Sequence, residues 1–164
     1  MISGLVAMSL IIVGIFELLP AVTEANRATQ ATFFELLRDY AIFAFMINLL
    51  REIVKDIEDV DGDYNAEMKT LPIVLGRDRT GKLVFVLSFI PIIAVVYYVM
   101  TYLYKHQVAI GYFLVFVVAP LLYFSVKSFS AETKKEWRHL SLVLKLVMFF
   151  GVLSMILYRF ILIK

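Results

Sequence analysis

The 164-residue chain has no cysteine and little charge: Asp, Glu, Lys and Arg together make up 18% of it. Without cysteine, disulfides and thiolate metal sites are excluded, although the compartment is left open. With so little charge and 62% hydrophobic residues, the composition lies beyond the usual range for a soluble domain. A basic leading segment is also missing. Residues 1–22 are apolar except for Glu17, so they do not read as a secretory signal. Histidine is scarce too. His106 and His139 fall at span ends with no partner at suitable spacing, and neither reads as a metal ligand.

What is present comes in long apolar runs. Crossing the hydrocarbon core takes about 20 mostly apolar residues, and five segments qualify, roughly 2–22, 33–52, 83–104, 108–126 and 140–162. Backbone groups in lipid must be satisfied within their own segment, so each is expected to be a helix. The fold class expected is therefore all-α, a polytopic membrane helical bundle with 1–164 as a single domain. Tyr97, Tyr98, Tyr102 and Tyr104 near the end of the third span, and Trp137 before the fifth, are placed as interfacial anchors would be. Pro91 and Pro120 lie within spans, where neighbouring helices accommodate kinks, and Gly151 would permit a close helix contact.

Lys and Arg in the connections set the orientation. The 51–82 and 127–138 connections hold ten of the sixteen, the opposite side holds four, and Lys145 and Arg159 fall in the last span. The 51–82 connection is thus expected on the cytoplasmic side of the cell membrane.

Charge of one sign is concentrated in a single place. Seven of the fourteen acids lie between Glu52 and Glu67. The second span supplies only a short clean run, Tyr40 to Leu50, so ionisable residues at one of its ends must approach membrane depth. Such residues usually face a bundle interior or a wet cavity. If the helix continues past Leu50, Glu52, Asp56, Asp59 and Asp63 fall on one face, with Asn48 a turn earlier. Like charges at these spacings destabilise a helix unless a cation lies against them. Mg²⁺ prefers oxygen ligands and is commonly shared between one or two carboxylates and phosphate oxygens. Nearby Arg51, Lys55, Lys69, Arg77 and Arg79 could contact phosphate, although basic residues also belong on this side for topological reasons. Gly62 could end or turn the helix.

The stretch Arg51-Glu-Ile-Val-Lys-Asp-Ile-Glu-Asp-Val-Asp-Gly-Asp63, followed by Lys69-Thr-Leu-Pro-Ile-Val-Leu-Gly76, resembles the second aspartate-rich motif of the UbiA-type membrane prenyltransferases and the segment after it. In flavour it is nearest the branch that includes geranylgeranylglycerol-phosphate geranylgeranyltransferases. The resemblance implies nine helices around a cavity, of which the five here would be the last five. It also implies Mg²⁺-dependent transfer of a polyprenyl group from a polyprenyl diphosphate to a lipid or aromatic acceptor, with diphosphate released. Asp56, Asp59 and Asp63 would be metal ligands, and Lys69, Arg77, Arg51, Lys55 and Asn48 would contact diphosphate. The family's first aspartate-rich motif is absent before Asn48. The expectation is therefore a C-terminal portion that is inactive alone and partnered by a missing N-terminal half. No nucleic-acid partner is expected. Two other functions are compatible with the residues, a non-catalytic subunit of a split enzyme and a small divalent-cation transporter or channel.

Overall fold

In the computed structural model the described residues, 24–162, form helices joined by short connections, with no strand among them. They are α1 (Glu24–Asn65), α2 (Leu71–Leu75), α3 (Arg77–Tyr102), α4 (Gln107–Phe113), a π-helical segment (Leu114–Val118), α5 (Ala119–Ser130) and α6 (Lys134–Leu162). The chain divides into two compact units, Met1–Phe45 and Met46–Lys164, and the boundary falls inside α1. The described part of the first unit is the leading stretch of α1, where Ile42 and Phe45 are exposed.

Three helical stretches are long and apolar enough to cross a membrane: Arg77–Tyr102, Gln107–Ser130 and Lys134–Met155. They correspond to the third, fourth and fifth spans expected from the sequence. The expected first span, 2–22, lies outside the described residues. The expected second, 33–52, is helical throughout but is not among the three. Glu35, Arg38, Asp39, Arg51 and Glu52 interrupt its apolar run, and it continues without a break into the acidic segment.

The three long helices pack through small side chains. Gly81 on α3 faces the Trp137 ring, and a Cβ there would lie 3.1 Å from Trp137 Cζ2, 3.3 Å from Cη2 and 3.7 Å from the Ser128 carbonyl oxygen. Seven residues along α3, Ser88 Oγ meets Ser125 Oγ of α5 at 2.6 Å, both buried. Ser125 and Ser128 also donate to carbonyls of their own helix, Leu121 and Ser125 respectively. Among the described residues, the buried polar side chains are all Ser or Thr. This is how membrane helices associate: small residues let backbones approach, and hydroxyls bond where water is absent.

Pro91 is buried inside α3. Pro120 follows the π-helical segment directly. A proline ring clashes with the carbonyl four residues back, and the wider π turn relieves that crowding. The Tyr112 hydroxyl donates to the Phe150 carbonyl at 2.8 Å, tying α4 to α6 beside Gly151. Tyr97, Tyr102 and Tyr104 are exposed, as anchors would be.

Trp137 departs from its expected role. It is 1% exposed and packed on Gly81, so it is a core residue rather than an interfacial anchor. Its neighbours show why. The chain enters α6 through a capping box in which Thr133 Oγ1 accepts from Glu136 N, while the Glu136 carboxylate accepts from Thr133 N and Glu132 N. That cap fixes the first turn and turns Trp137 inward.

Candidate functional site: an acidic stripe on a continuous helix

Beyond Leu50 the helix continues through the whole acidic segment to Asn65. Ile47, Leu50, Ile53, Val54 and Ile57 are buried along one face. Recurrence at three and four residues is the mark of a helix face packed on a core. Fully burying a side chain such as Ile57 is worth about 1.5–3 kcal/mol, which holds the helix in place despite the acids it carries. The same periodicity puts Asn48, Glu52, Asp56, Asp59 and Asp63 on the other face. Glu52 is exposed, and Asn48, Asp56, Asp59 and Asp63 are half-buried.

Gly62, which could have ended or turned this helix, does neither. It sits within it, exposed, with open space where a Cβ would be. The end comes at a Schellman turn, in which Glu67 N donates to the Tyr64 carbonyl and Met68 N to the Asp63 carbonyl. Glu67 occupies the left-handed position with φ 55°, a place usually taken by glycine. The turn leaves Lys69 exposed, just before the short helix α2.

The electrostatics of the stripe follow from its spacing. The Asp56 carboxyl is raised above its usual range, first by burial and then by the negative charges of Asp63 and Glu52. Lys55 opposes the shift, and Asp59 adds to it. These acids therefore feel one another. Their positions four and seven residues apart put them about 6 and 10.5 Å along the axis, too far for three to close on one ion. In keeping with this, no group of three His, Cys, Asp or Glu is placed to hold a metal among the described residues.

The cations divide into those near the stripe and those drawn elsewhere. Arg51 lies 3.7 Å from Glu52, and its Nε is buried without a hydrogen bond. Lys55 and Lys69 are exposed. Arg77 reaches Asp61 at 3.6 Å, and Asp61 lies off the stripe, about 200° around the helix from Asp63. Asp61 also lines an open cleft of 410 Å³ with Val60, Tyr64, Asn65, Pro72 and Ile73. Two further cations come from α6 and were not singled out from the sequence as site residues: Lys134 Nζ is 3.5 Å from Asp59 Oδ1, and Arg138 Nε is 3.6 Å from Glu58 Oε1. Nothing local in the sequence signals them, because about 75 residues separate the partners. Sequence reading also gave His139 no partner, but its Nε2 lies 3.2 Å from the Tyr123 hydroxyl.

Three long apolar helices, with no strand among the described residues and an acidic helix beside them, define a class: polytopic all-helical membrane proteins. The chain belongs to the UbiA prenyltransferase family, whose model matches residues 4–153. It is 35% identical over 122 residues to the digeranylgeranylglyceryl phosphate synthase of Thermococcus gammatolerans, covering 70% of this chain and 40% of that protein. Identity to the protein of the same name from Thermococcus onnurineus is 33% over 115 residues, with the same coverage. A Pyrococcus abyssi relative, also so named, is 46% identical over 59 residues, 32% of this chain and 21% of its own length. The chain thus spans about 40% of the length of the first two relatives. No solved structure gives a significant match.

Proposed function

We propose that the chain supplies one half of a Mg²⁺-dependent site that transfers a polyprenyl group from a polyprenyl diphosphate to a lipid acceptor. The observation that carries this reading is the stripe of Asp56, Asp59 and Asp63, whose mutual repulsion is felt at Asp56. Oxygen-only donors suit Mg²⁺, and the spacing suits one or two carboxylates per ion, with the remaining ligands from water and diphosphate. Bound there, Mg²⁺ would neutralise charge developing on the leaving diphosphate. The chain's own residues have three tasks. Asp56, Asp59 and Asp63 would hold Mg²⁺, one or two carboxylates to an ion, and Arg51, Lys55, Lys69 and Asn48 are within the same segment to meet diphosphate oxygens. Arg77 serves this role only by leaving Asp61. The apolar packing of α1 on the opposite face holds the stripe in place.

The name shared by the relatives, digeranylgeranylglyceryl phosphate synthase, favours a glyceryl phosphate lipid as acceptor over an aromatic one. In the transfer the allylic carbon–oxygen bond breaks with its electron pair leaving on diphosphate, and an acceptor hydroxyl oxygen bonds to the carbon and releases its proton. A transporter is disfavoured by the three spans, whose buried polar groups, among the described residues, are hydroxyls and not ionisable. We place the stripe at the cytoplasmic mouth of the bundle, and we expect no transfer from these 164 residues alone, because no counterpart of the first aspartate-rich motif lies among them.

The test is a radiolabelled prenyl-transfer assay on the chain joined to a segment that supplies the first aspartate-rich motif. Asp59→Ala and Asp63→Ala are expected to abolish Mg²⁺-dependent transfer while membrane insertion is retained. Unsubstituted turnover in both variants sinks the assignment.

A further inference from the structure

We propose that the first turns of α6 act as a clasp on the acidic helix, in which Arg138 and Lys134 have opposite effects on the metal site. The inference rests on the reading of the stripe as a cation site, and deepens it by naming positioning residues 75 and 80 positions away from the acids they meet.

The clasp is built from three observations. The capping box of Thr133 and Glu136 fixes where α6 begins. Trp137, almost fully buried against Gly81, fixes the rotation of that first turn. Lys134 and Arg138, four residues apart and so on one side of the helix, then meet two consecutive acids of α1, Asp59 and Glu58. The two rungs differ. Glu58 lies off the stripe and its side chain is only 15% exposed, and Arg138, itself 82% exposed, reaches this carboxylate from the solvent side. Removing one partner of such a pair leaves an uncompensated charge and favours movement of the helix that carries it. Asp59 belongs to the stripe and its side chain is 46% exposed. Lys134 is its counter-ion, and competes with any divalent cation that takes Asp59.

Arg138 therefore presents the stripe, while Lys134 guards it. By charge alone, neutralising either residue would strengthen divalent binding, because both are cations near a cluster of acids. Positioning reverses the sign for Arg138 only.

The absence of cysteine makes the test direct. Nitroxides placed at Gly62→Cys and Lys135→Cys, both exposed, report the separation of the acidic helix and α6 by pulsed electron paramagnetic resonance on the membrane-reconstituted chain. Manganous ion titrated against unlabelled protein reports divalent affinity. Arg138→Gln is expected to broaden the distance distribution and weaken Mn²⁺ binding about two- to five-fold, the scale of one partly exposed pair. The charge exchange Glu58→Arg with Arg138→Glu is expected to restore both. Lys134→Gln is expected to strengthen Mn²⁺ binding by a similar factor. An unchanged distribution in Arg138→Gln overturns the clasp, and so does a shift of Mn²⁺ affinity in the same direction for both single variants. If the unsubstituted chain binds no Mn²⁺, the metal reading of the stripe fails, while the distance measurement still decides the clasp.

Discussion

Gly81→Ala adds one methyl group to a close contact between two of the long helices. The new Cβ would lie 3.1 and 3.3 Å from two carbons of the Trp137 ring, against the 3.5–4.0 Å at which carbon pairs are most favourable. Trp137 is almost wholly buried, so the ring has little room to yield and the helices must separate by a few tenths of an ångström. Overpacking of this kind costs about 1–3 kcal/mol. Replacing a mid-helix glycine by alanine returns about 1 kcal/mol through helix propensity. The balance is a net loss of about 1 kcal/mol, equivalent to a fall in Tm of about 2–4 °C for a chain of this size. The assay is thermal unfolding in detergent followed by circular dichroism. Emission from Trp137, the only tryptophan, reports whether the ring has moved. A double-mutant cycle with Trp137→Leu should show strong coupling, because without the ring the added methyl finds space. If Gly81→Ala is as stable as the parent or more so, with Trp137 emission unchanged, the reasoning about this contact is refuted.

Three other outcomes follow from the geometry. Because the Asp56 carboxyl is raised in the folded chain by burial, Asp63 and Glu52, the folded state holds a proton that the unfolded chain has released. The stability that Asp56 contributes is therefore greatest below the ordinary carboxyl range and is lost as pH rises through the raised pKa; Asp63→Asn should reduce that loss in Tm-against-pH curves, and an identical slope would contradict the coupling. Glu67→Gly relieves the left-handed backbone at the end of α1 and should stabilise the chain by about 0.5–1 kcal/mol, seen as a higher Tm. Thr133→Ala removes the hydroxyl that caps α6 and should cost about 1 kcal/mol, with hydrogen exchange accelerated first in the amides of Lys134 to Trp137.

How much of this was legible in the sequence depended on the range of the physics involved. The acidic face could be read from Glu52, Asp56, Asp59 and Asp63 because helical periodicity is local. The three later spans were legible for the same reason, since a long apolar run needs no partner to be recognised. Gly62 misled because its propensity cost of about 1 kcal/mol is outweighed by the packing of Val54 and Ile57 a few residues earlier. Trp137 misled because an anchor and a core tryptophan look alike until Gly81 is brought against one of them. The π-helical segment before Pro120 and the pairing of Lys134 and Arg138 with α1 are tertiary facts. No window of a few residues contains them.

The central claim, that Asp63 and its neighbours bind a divalent cation during prenyl transfer, is tested most directly by changing what the metal must be. In a chain without native cysteine, Asp63→Cys replaces a hard oxygen ligand with a soft thiolate, which suits Cd²⁺ and not Mg²⁺. Assayed with the complementary segment and a radiolabelled prenyl diphosphate, this variant is expected to lose Mg²⁺-supported transfer and regain it with Cd²⁺. Full activity of Asp63→Cys in Mg²⁺, with no response to Cd²⁺, would contradict the account.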